Sequence, residues 1–301
     1  MESKEFKGVI PPILTLFNEQ GRVDEEKQRN YVEYLVKAGI HGLFVCGTFG
    51  CGIMMTVEEH KKVVEIVIDQ VKGRIPIIVH VGSTSTDISI ALAKNAEALG
   101  ADAISAVTPF YYKHSDEAIV NFFNSLVKIV NIPVLAYNNV TTSGYLITPN
   151  VAIKLAKVGV RGIKDTGPIE NFYLMKTRME QKGFDFQFII GTCGHWLPAA
   201  STGVKAMISG TANSFPEVVL DMYNTTVEKG SEAAAELQMK IIRLRDLQLI
   251  GGKILTTMAV LELRGISAGY PKRPFIPLSE TAKQRIREAV IEESLEEIIK
   301  K

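Results

Sequence analysis

Cysteine is scarce in this sequence: Cys46, Cys51 and Cys193 are the only three in 301 residues. An odd number without CxxC spacing excludes a disulfide framework and predicts a reducing, cytoplasmic setting. The five histidines show no ligand-like spacing and the carboxylates form no paired motif at predicted strand ends, so no metal site is expected. Charge of one sign is also lacking. With 34 basic and 33 acidic residues the formal net charge is +1, with no long run of either sign, which argues against a nucleic-acid or anionic-membrane partner and favours small ones. No apolar run approaches the roughly 20 residues a spanning helix needs, and Met1-Glu2-Ser3-Lys4-Glu5 lacks the apolar stretch of a signal peptide. A soluble protein is expected.

What the chain does have is a hydrophobic content of 46%, enough for a large core in one barrel or two smaller domains. Short apolar runs at 9–15, 43–46, 75–81, 103–107, 134–137, 160–164, 186–190 and 206–209 read as strands buried on both faces of a parallel sheet. Amphipathic segments separate them. Thr56 and Glu59 stand at capping-box spacing before a stripe of Val63, Val67 and Val71. Tyr31 and Leu35 repeat the pattern after Asp24, and Ile119, Phe123, Leu126 and Val130 after Ser115. Ile88, Leu92, Ala96 and Leu99 give another stripe, while Gly39, Gly73, Gly100 and Gly159 mark helix ends. Eight such units predict an α/β fold, a closed (β/α)₈ TIM barrel over residues 1–228, with an open doubly wound sheet as the alternative. The rest, 229–301, reads as a C-terminal helical extension with helices at 231–250, 253–262 and 279–299 and a proline-rich stretch between the last two.

In a parallel barrel the reactive groups stand at the C-terminal ends of strands. The sixth strand ends in Gly162-Ile163-Lys164-Asp165, which puts a lysine at the barrel mouth. Desolvation there would lower its pKa from about 10.4 and free the amine to condense with a ketone. The second strand ends in Gly47-Thr48-Phe49-Gly50-Cys51-Gly52, whose glycines let backbone N–H groups approach a carboxylate or phosphate. It has neither the lysine of a Walker A loop nor the spacing of a dinucleotide fingerprint. The fourth and fifth strands end in Thr108-Pro109-Phe110-Tyr111-Tyr112 and Tyr137-Asn138-Asn139, and a phenol near an imine can shuttle protons. Each of these features taken singly also fits a packing role.

Taken together, in order and on successive rim positions, Gly47-Thr48-x-Gly50, Pro109-Phe110-Tyr111, Tyr137-Asn138 and Gly162-Ile163-Lys164-Asp165 resemble the dihydrodipicolinate synthase/N-acetylneuraminate lyase family. The likeness starts at Gly8-Val9-Ile10-Pro11, runs through Ser209-Gly210-Thr211-Ala212-Asn213, and reaches Gly269-Tyr270-Pro271-Lys272-Arg273-Pro274. It implies a class I lyase in which Lys164 forms an imine with pyruvate and Tyr137 transfers the proton. It also implies that Thr48 links Tyr137 to Tyr111 reaching in from a neighbouring subunit, and that Gly47, Thr48, Phe49 and Ile208 bind the substrate. No metal or organic cofactor is expected. A homo-oligomer, a tetramer built from two dimers, is implied by Tyr111.

The departures bear on the substrate. Phe49 stands where the family usually has a second Thr or Ser, so a hydroxyl for the pyruvate carboxylate is gone. Cys51-Gly52 stands where many members have Glu, with the glycine as in the 2-keto-3-deoxygluconate aldolases. Thr142 takes the place of the arginine with which the synthases grip a second carboxylate, and a neutral hydroxyl cannot replace a bidentate guanidinium. The acidic pair that holds a sugar chain in the sialic acid lyases falls at Cys193-Gly194. A 2-keto-3-deoxy sugar acid aldolase is the leading expectation, its partners pyruvate and a small aldehyde or 2-keto acid. The alternatives are the synthase, the N-acetylneuraminate lyase and a non-catalytic barrel that binds a keto acid.

Overall fold

A computed structural model describes residues 5–299. Eight parallel strands follow the chain: β1 (Gly8–Ile10), β2 (Leu43–Val45), β3 (Ile77–His80), β4 (Ala103–Val107), β5 (Val134–Asn138), β6 (Gly162–Asp165), β7 (Gln187–Ile190) and β8 (Ala206–Ile208). From β2 to β8 each pairs with the next in sequence, and β8 returns to pair with β1. The seam between β1 and β2 runs just past the end of β1, where Ile13 N donates to Phe44 O and Phe44 N donates to Pro11 O, both at 3.0 Å. The sheet is thereby closed into the expected (β/α)₈ barrel, and the open doubly wound sheet is ruled out.

Because neighbouring residues of a strand face opposite ways, the closed sheet sorts the chain into two cores. Ile10, Phe44, Ile78, Val107, Leu135, Tyr137, Ile189 and Ile208 point inward and fill the barrel. Val9, Val45, Val79, Ile104, Ala136, Ile163, Ile190 and Met207 point outward and are covered by the helices. Lys164 shares the inward parity of Gly162 on β6, so it faces the barrel interior. The opposite end is plugged: Phe6 N donates to Gln187 Oε1 at 3.2 Å, and Gln187 Nε2 returns a bond to Phe6 O.

The helices start where their caps predict. Asp24 caps Glu25–Lys37, Ser115 caps Asp116–Ile129, and Thr56 with Glu59 makes both halves of a capping box on Val57–Val71. Gly39, Gly73, Gly100 and Gly159 all have positive φ, from 71 to 103°, the left-handed turn a helix needs before it re-enters the sheet. Strand edges differ from the sequence reading for local reasons. Pro11, Pro12 and Pro76 have no N–H to give the ladder, which shortens the first and third strands. The sixth starts later and runs on to Asp165, because Asn138 and Ile190 continue the pairing past Lys164. The helix Thr86–Leu99 buries Ser89, Leu92, Ala93 and Ala96, so its inner face is turned away from Ile88, which is 43% exposed.

After the eighth barrel helix, Pro216–Lys229, the C-terminal helical part comprises Ala235–Asp246, Gln248–Gly251, Lys253–Leu263 and Glu280–Glu292. The expected 231–250 helix thus begins later and breaks at Leu247, and the 279–299 helix stops at Glu292 before a 3₁₀ turn. Several ties hold this part to the barrel. Tyr270 N donates to Phe17 O at 2.9 Å, Lys272 Nζ meets Glu59 Oε1 at 2.6 Å, and Gln238 Nε2 donates to Cys193 O at 3.0 Å. No helix among the described residues is long and apolar enough to cross a membrane.

Glu59 serves the capping box through one carboxylate oxygen and Lys272 through the other. Thr56→Ala should therefore lower the unfolding free energy by about 1 kcal/mol, as for other lost caps. Glu59→Ala, which also frees Lys272, should lower it further. Urea midpoints of the two variants check this order.

Candidate active site

At the open end of the barrel a cleft of about 280 Å³ is lined by Lys164, Tyr137, Thr48 and Phe49. Lys164 is 3% exposed, and its side chain rises through the barrel between two rings. Nζ lies 4.0 Å from the centroid of Phe44 on β2 and 3.9 Å from that of Tyr137 on β5. The second contact follows from register, since Tyr137 and Lys164 are paired directly on adjacent strands. Burial pushes the Lys164 ammonium well below the ordinary lysine range, and the positive charge of Lys253 adds to the shift. The side chain is thus biased to the neutral amine, the form that attacks a carbonyl carbon.

Burial holds the Tyr137 phenol above its ordinary range, while hydrogen bonds from Thr48, Thr166 and Asn139 act the other way. Asn139 Nδ2 donates to its oxygen at 3.0 Å. Such a phenol stays protonated at neutral pH and has polar neighbours that can pass a proton. The next layer is fixed by Asp165 and Asn138, the final paired residues of β6 and β5. Asn138 Nδ2 donates to Asp165 Oδ2 at 3.0 Å, and Gly167 N donates to Asp165 Oδ1 at 2.6 Å. Burial raises the Asp165 carboxyl to about 6. Thr166 Oγ1 donates to Asn138 O at 3.0 Å, which sets that hydroxyl beside the phenol.

The turn after β2 is wound tightly. Cys46 and Cys51, neither of them glycine, take positive φ of 57 and 53°. A side chain at Gly52 would strike Cys46 O at 1.8 Å, and one at Gly47 would strike the Phe44 ring at 2.6 Å, so both glycines are steric requirements. Neutral His80 fastens the turn from inside the barrel: its ring is bonded to the Cys46 backbone, and its Nε2 accepts from Val107 N at 3.1 Å. Burial lowers the His80 imidazole to about 3, with the Lys164 charge contributing. Both cysteine thiols are pushed up by burial, Cys51 to about 11, and neither is a ready nucleophile.

Of the residues singled out in the sequence, Lys164, Tyr137, Thr48 and Phe49 meet at one cleft. Gly47 lies beneath them against Phe44, and Ile208 closes the barrel interior at the end of β8. Tyr111 does not line the cleft of its own chain. It is 86% exposed, at φ 78°, with its ring edge-on to Tyr112 at 5.1 Å between centroids. Asn139, Thr166 and His80 were missed by sequence reasoning. For Asn139 and Thr166 the signal was their place two residues beyond Tyr137 and Lys164; for His80 it was inward parity on β3.

The model of the dihydrodipicolinate synthetase family matches residues 5–293. The chain belongs to that family. Its members are pyruvate-dependent class I lyases, and the chain is an enzyme of this kind. Among its relatives, 4-hydroxy-tetrahydrodipicolinate synthase of Methanopyrus kandleri is 31% identical over 287 residues, covering 94% of this chain and 95% of the relative. A probable 2-dehydro-3-deoxy-D-pentonate aldolase of Escherichia coli, YjhH, is 28% identical over 288 residues, covering 94% and 96%. Among solved structures, YagE of Escherichia coli, a prophage protein of the same family in complex with pyruvate, superposes with a TM-score of 0.91. It is 25% identical, with 96% of this chain and 99% of that one covered.

A lysine neutral when folded and protonated when unfolded leaves the unfolded state holding one more proton, so stability rises with pH up to the ordinary lysine value of 10.5. Lys164→Met, similar in length and without charge, should raise Tm by a few degrees at pH 7. The gain should shrink steadily as the pH approaches 10.5. Thermal scans of both proteins at a series of pH values check the sign.

Proposed function

We propose that the chain makes or cleaves the carbon–carbon bond between pyruvate and an aldehyde through an imine on Lys164, and that its substrate is a 2-keto-3-deoxy sugar acid. The observation that carries this is the buried amine of Lys164 facing the phenol of Tyr137 across one strand pairing. The amine adds to the ketone carbon, the carbinolamine loses water, and a protonated imine results. In the cleaving direction the bond between C3 and C4 breaks, its electron pair is taken up by the imine as an enamine, and the C4 hydroxyl loses its proton to become the aldehyde. The enamine then takes a proton at C3, and water releases pyruvate and the free lysine. Tyr137, with Thr48 and Asn139 beside it, carries the protons of these steps. No metal or organic cofactor takes part.

Six threonines, Thr48, Thr141, Thr142, Thr166, Thr192 and Thr211, line the cleft and suit a polyhydroxylated chain. Thr142 in place of an arginine, together with the likeness to the pentonate aldolase, favours the sugar acid over the synthase substrate. Backbone N–H groups of the Gly47-Thr48-Phe49 turn receive the pyruvate carboxylate, with Ile208 behind it. The enzyme works in the cytoplasm as a homotetramer in which Tyr111 of one subunit completes the proton path of another. Its exposure on the rim is what such a role requires.

Borohydride reduction in the presence of pyruvate should add a stable mass to the peptide that contains Lys164. Labelling of another lysine, or of none, overturns the assignment. Lys164→Ala should abolish turnover, and Tyr137→Phe should lower it by roughly 10²- to 10⁴-fold, the usual contribution of a positioned acid or base. Release of pyruvate from a panel of 2-keto-3-deoxy sugar acids, set against condensation with aspartate semialdehyde, decides the substrate.

The role of Tyr111 is tested by mixing inactive Lys164→Ala and Tyr111→Phe chains, with subunit exchange followed by native mass spectrometry. Partial return of activity is expected, because mixed oligomers contain sites with both residues intact. An inactive mixture of exchanged subunits would place Tyr111 in its own subunit's function or in none.

A further inference from the structure

At the mouth of the cleft two cations stand without partners. Arg245 lies on the helix Ala235–Asp246, seven residues and so two turns beyond Gln238. Gln238 is buried and donates to Cys193 O at 3.0 Å, which presses that face of the helix onto the turn after β7. Arg245 therefore reaches over Gly194, where a methyl group would stand only 2.1 Å from its Nη1. Glycine at 194 leaves a space that the guanidinium fills. Lys253 opens the helix Lys253–Leu263, lines the same cleft, and is close enough for its charge to act on Lys164.

The side chain of neither Arg245 nor Lys253 makes a hydrogen bond or ion pair among the described residues, whereas Arg243 on the same helix is paired with Glu293 at 2.9 Å. No carboxylate lines the cleft. The acids nearby are Glu170, whose charge acts on His195 in the direction opposite to that of Arg245, and Asp246, which borders an adjoining hollow with both cations but bonds to neither. Two positive groups facing one cavity repel each other, and the nearer to Lys164, Lys253, raises the cost of protonating it. An anion between them removes both effects, and a guanidinium fork matches carboxylate and phosphate oxygens.

We propose that Arg245 and Lys253 form a subsite for an anionic group at the end of the substrate remote from the keto acid. The substrate is then a 2-keto acid with a distal carboxylate or phosphate. This inference rests on the imine at Lys164 and names the other end of the molecule bound there. The pyruvate carboxylate is received at the turn after β2, so the two negative ends of such a substrate are held by different elements.

The test compares borohydride trapping on Lys164 by 2-keto acids matched in length but differing at the far end. The probes are 2-oxoadipate, 5-phosphooxy-2-oxopentanoate and 2-oxohexanoate, the last uncharged at its far end, with the shorter pair 2-oxoglutarate and 2-oxopentanoate and with pyruvate as reference. The anionic probes should half-saturate at concentrations about 10- to 100-fold below their neutral counterparts, the contribution of hydrogen bonds to a charged group. Arg245→Gln and Lys253→Gln should each shrink that ratio, as should about 0.5 M salt. Arg243→Gln, already paired elsewhere, should leave the ratio as it is. Preference between carboxylate and phosphate identifies the anion. Equal half-saturation of anionic and neutral probes in the unmodified enzyme overturns the subsite while leaving the imine standing. A rise for both series alike in Arg245→Gln would mean that the residue only packs against Gly194, which also overturns it. If pyruvate itself fails to label Lys164, the imine falls and the subsite with it.

Discussion

An ammonium group withdrawn from water loses several kcal/mol of solvation, and a lysine on an inward-facing position of a closed barrel cannot avoid that loss. Lys164 has an aromatic ring on two sides and no carboxylate bonded to it, so the loss is answered by giving up the proton. The rest of the site is arranged around this single fact. Closure of the sheet supplies the enclosed interior, the pairing of β5 with β6 sets a phenol beside the amine, and the plug of Phe6 and Gln187 seals the far end. The same burial that makes the folded protein less stable at neutral pH makes its amine a nucleophile there.

Much of the fold was legible because its signals are local. Continuous apolar runs mark strands covered on both faces, caps such as Asp24, Thr56 and Ser115 mark helix starts, and four glycines mark the turns back into the sheet. What was not legible depends on contacts far apart in the chain. Whether Asp165 belongs to a strand is decided by Asn138 and Ile190, and which face of Thr86–Leu99 is covered is decided by its neighbours, which turned Ile88 outward.

The site divides in the same way. Lys164 and Tyr137 could be chosen because a strand end is visible in sequence and barrel chemistry belongs at strand ends. Arg245 and Lys253 could not, since they come from helices beyond the barrel, and only contacts distant in sequence, such as the bond from Gln238 to Cys193 and the guanidinium over Gly194, show that this part covers the cleft. Chemistry is thus carried by the barrel and the mouth is furnished by a different stretch of chain. An enzyme built this way keeps its reaction while the part that selects substrates varies.

The ring of Phe49 rests on Gly210, where a methyl group would come within 2.3 Å of it. These two positions are separated by most of the barrel in sequence, yet they occupy one volume. Any larger residue at 210 would evict the ring, and a hydroxyl-bearing residue at 49 would leave a gap over the glycine. The two positions therefore constrain each other across the barrel, and a one-residue change at either place meets a neighbour shaped for the other state.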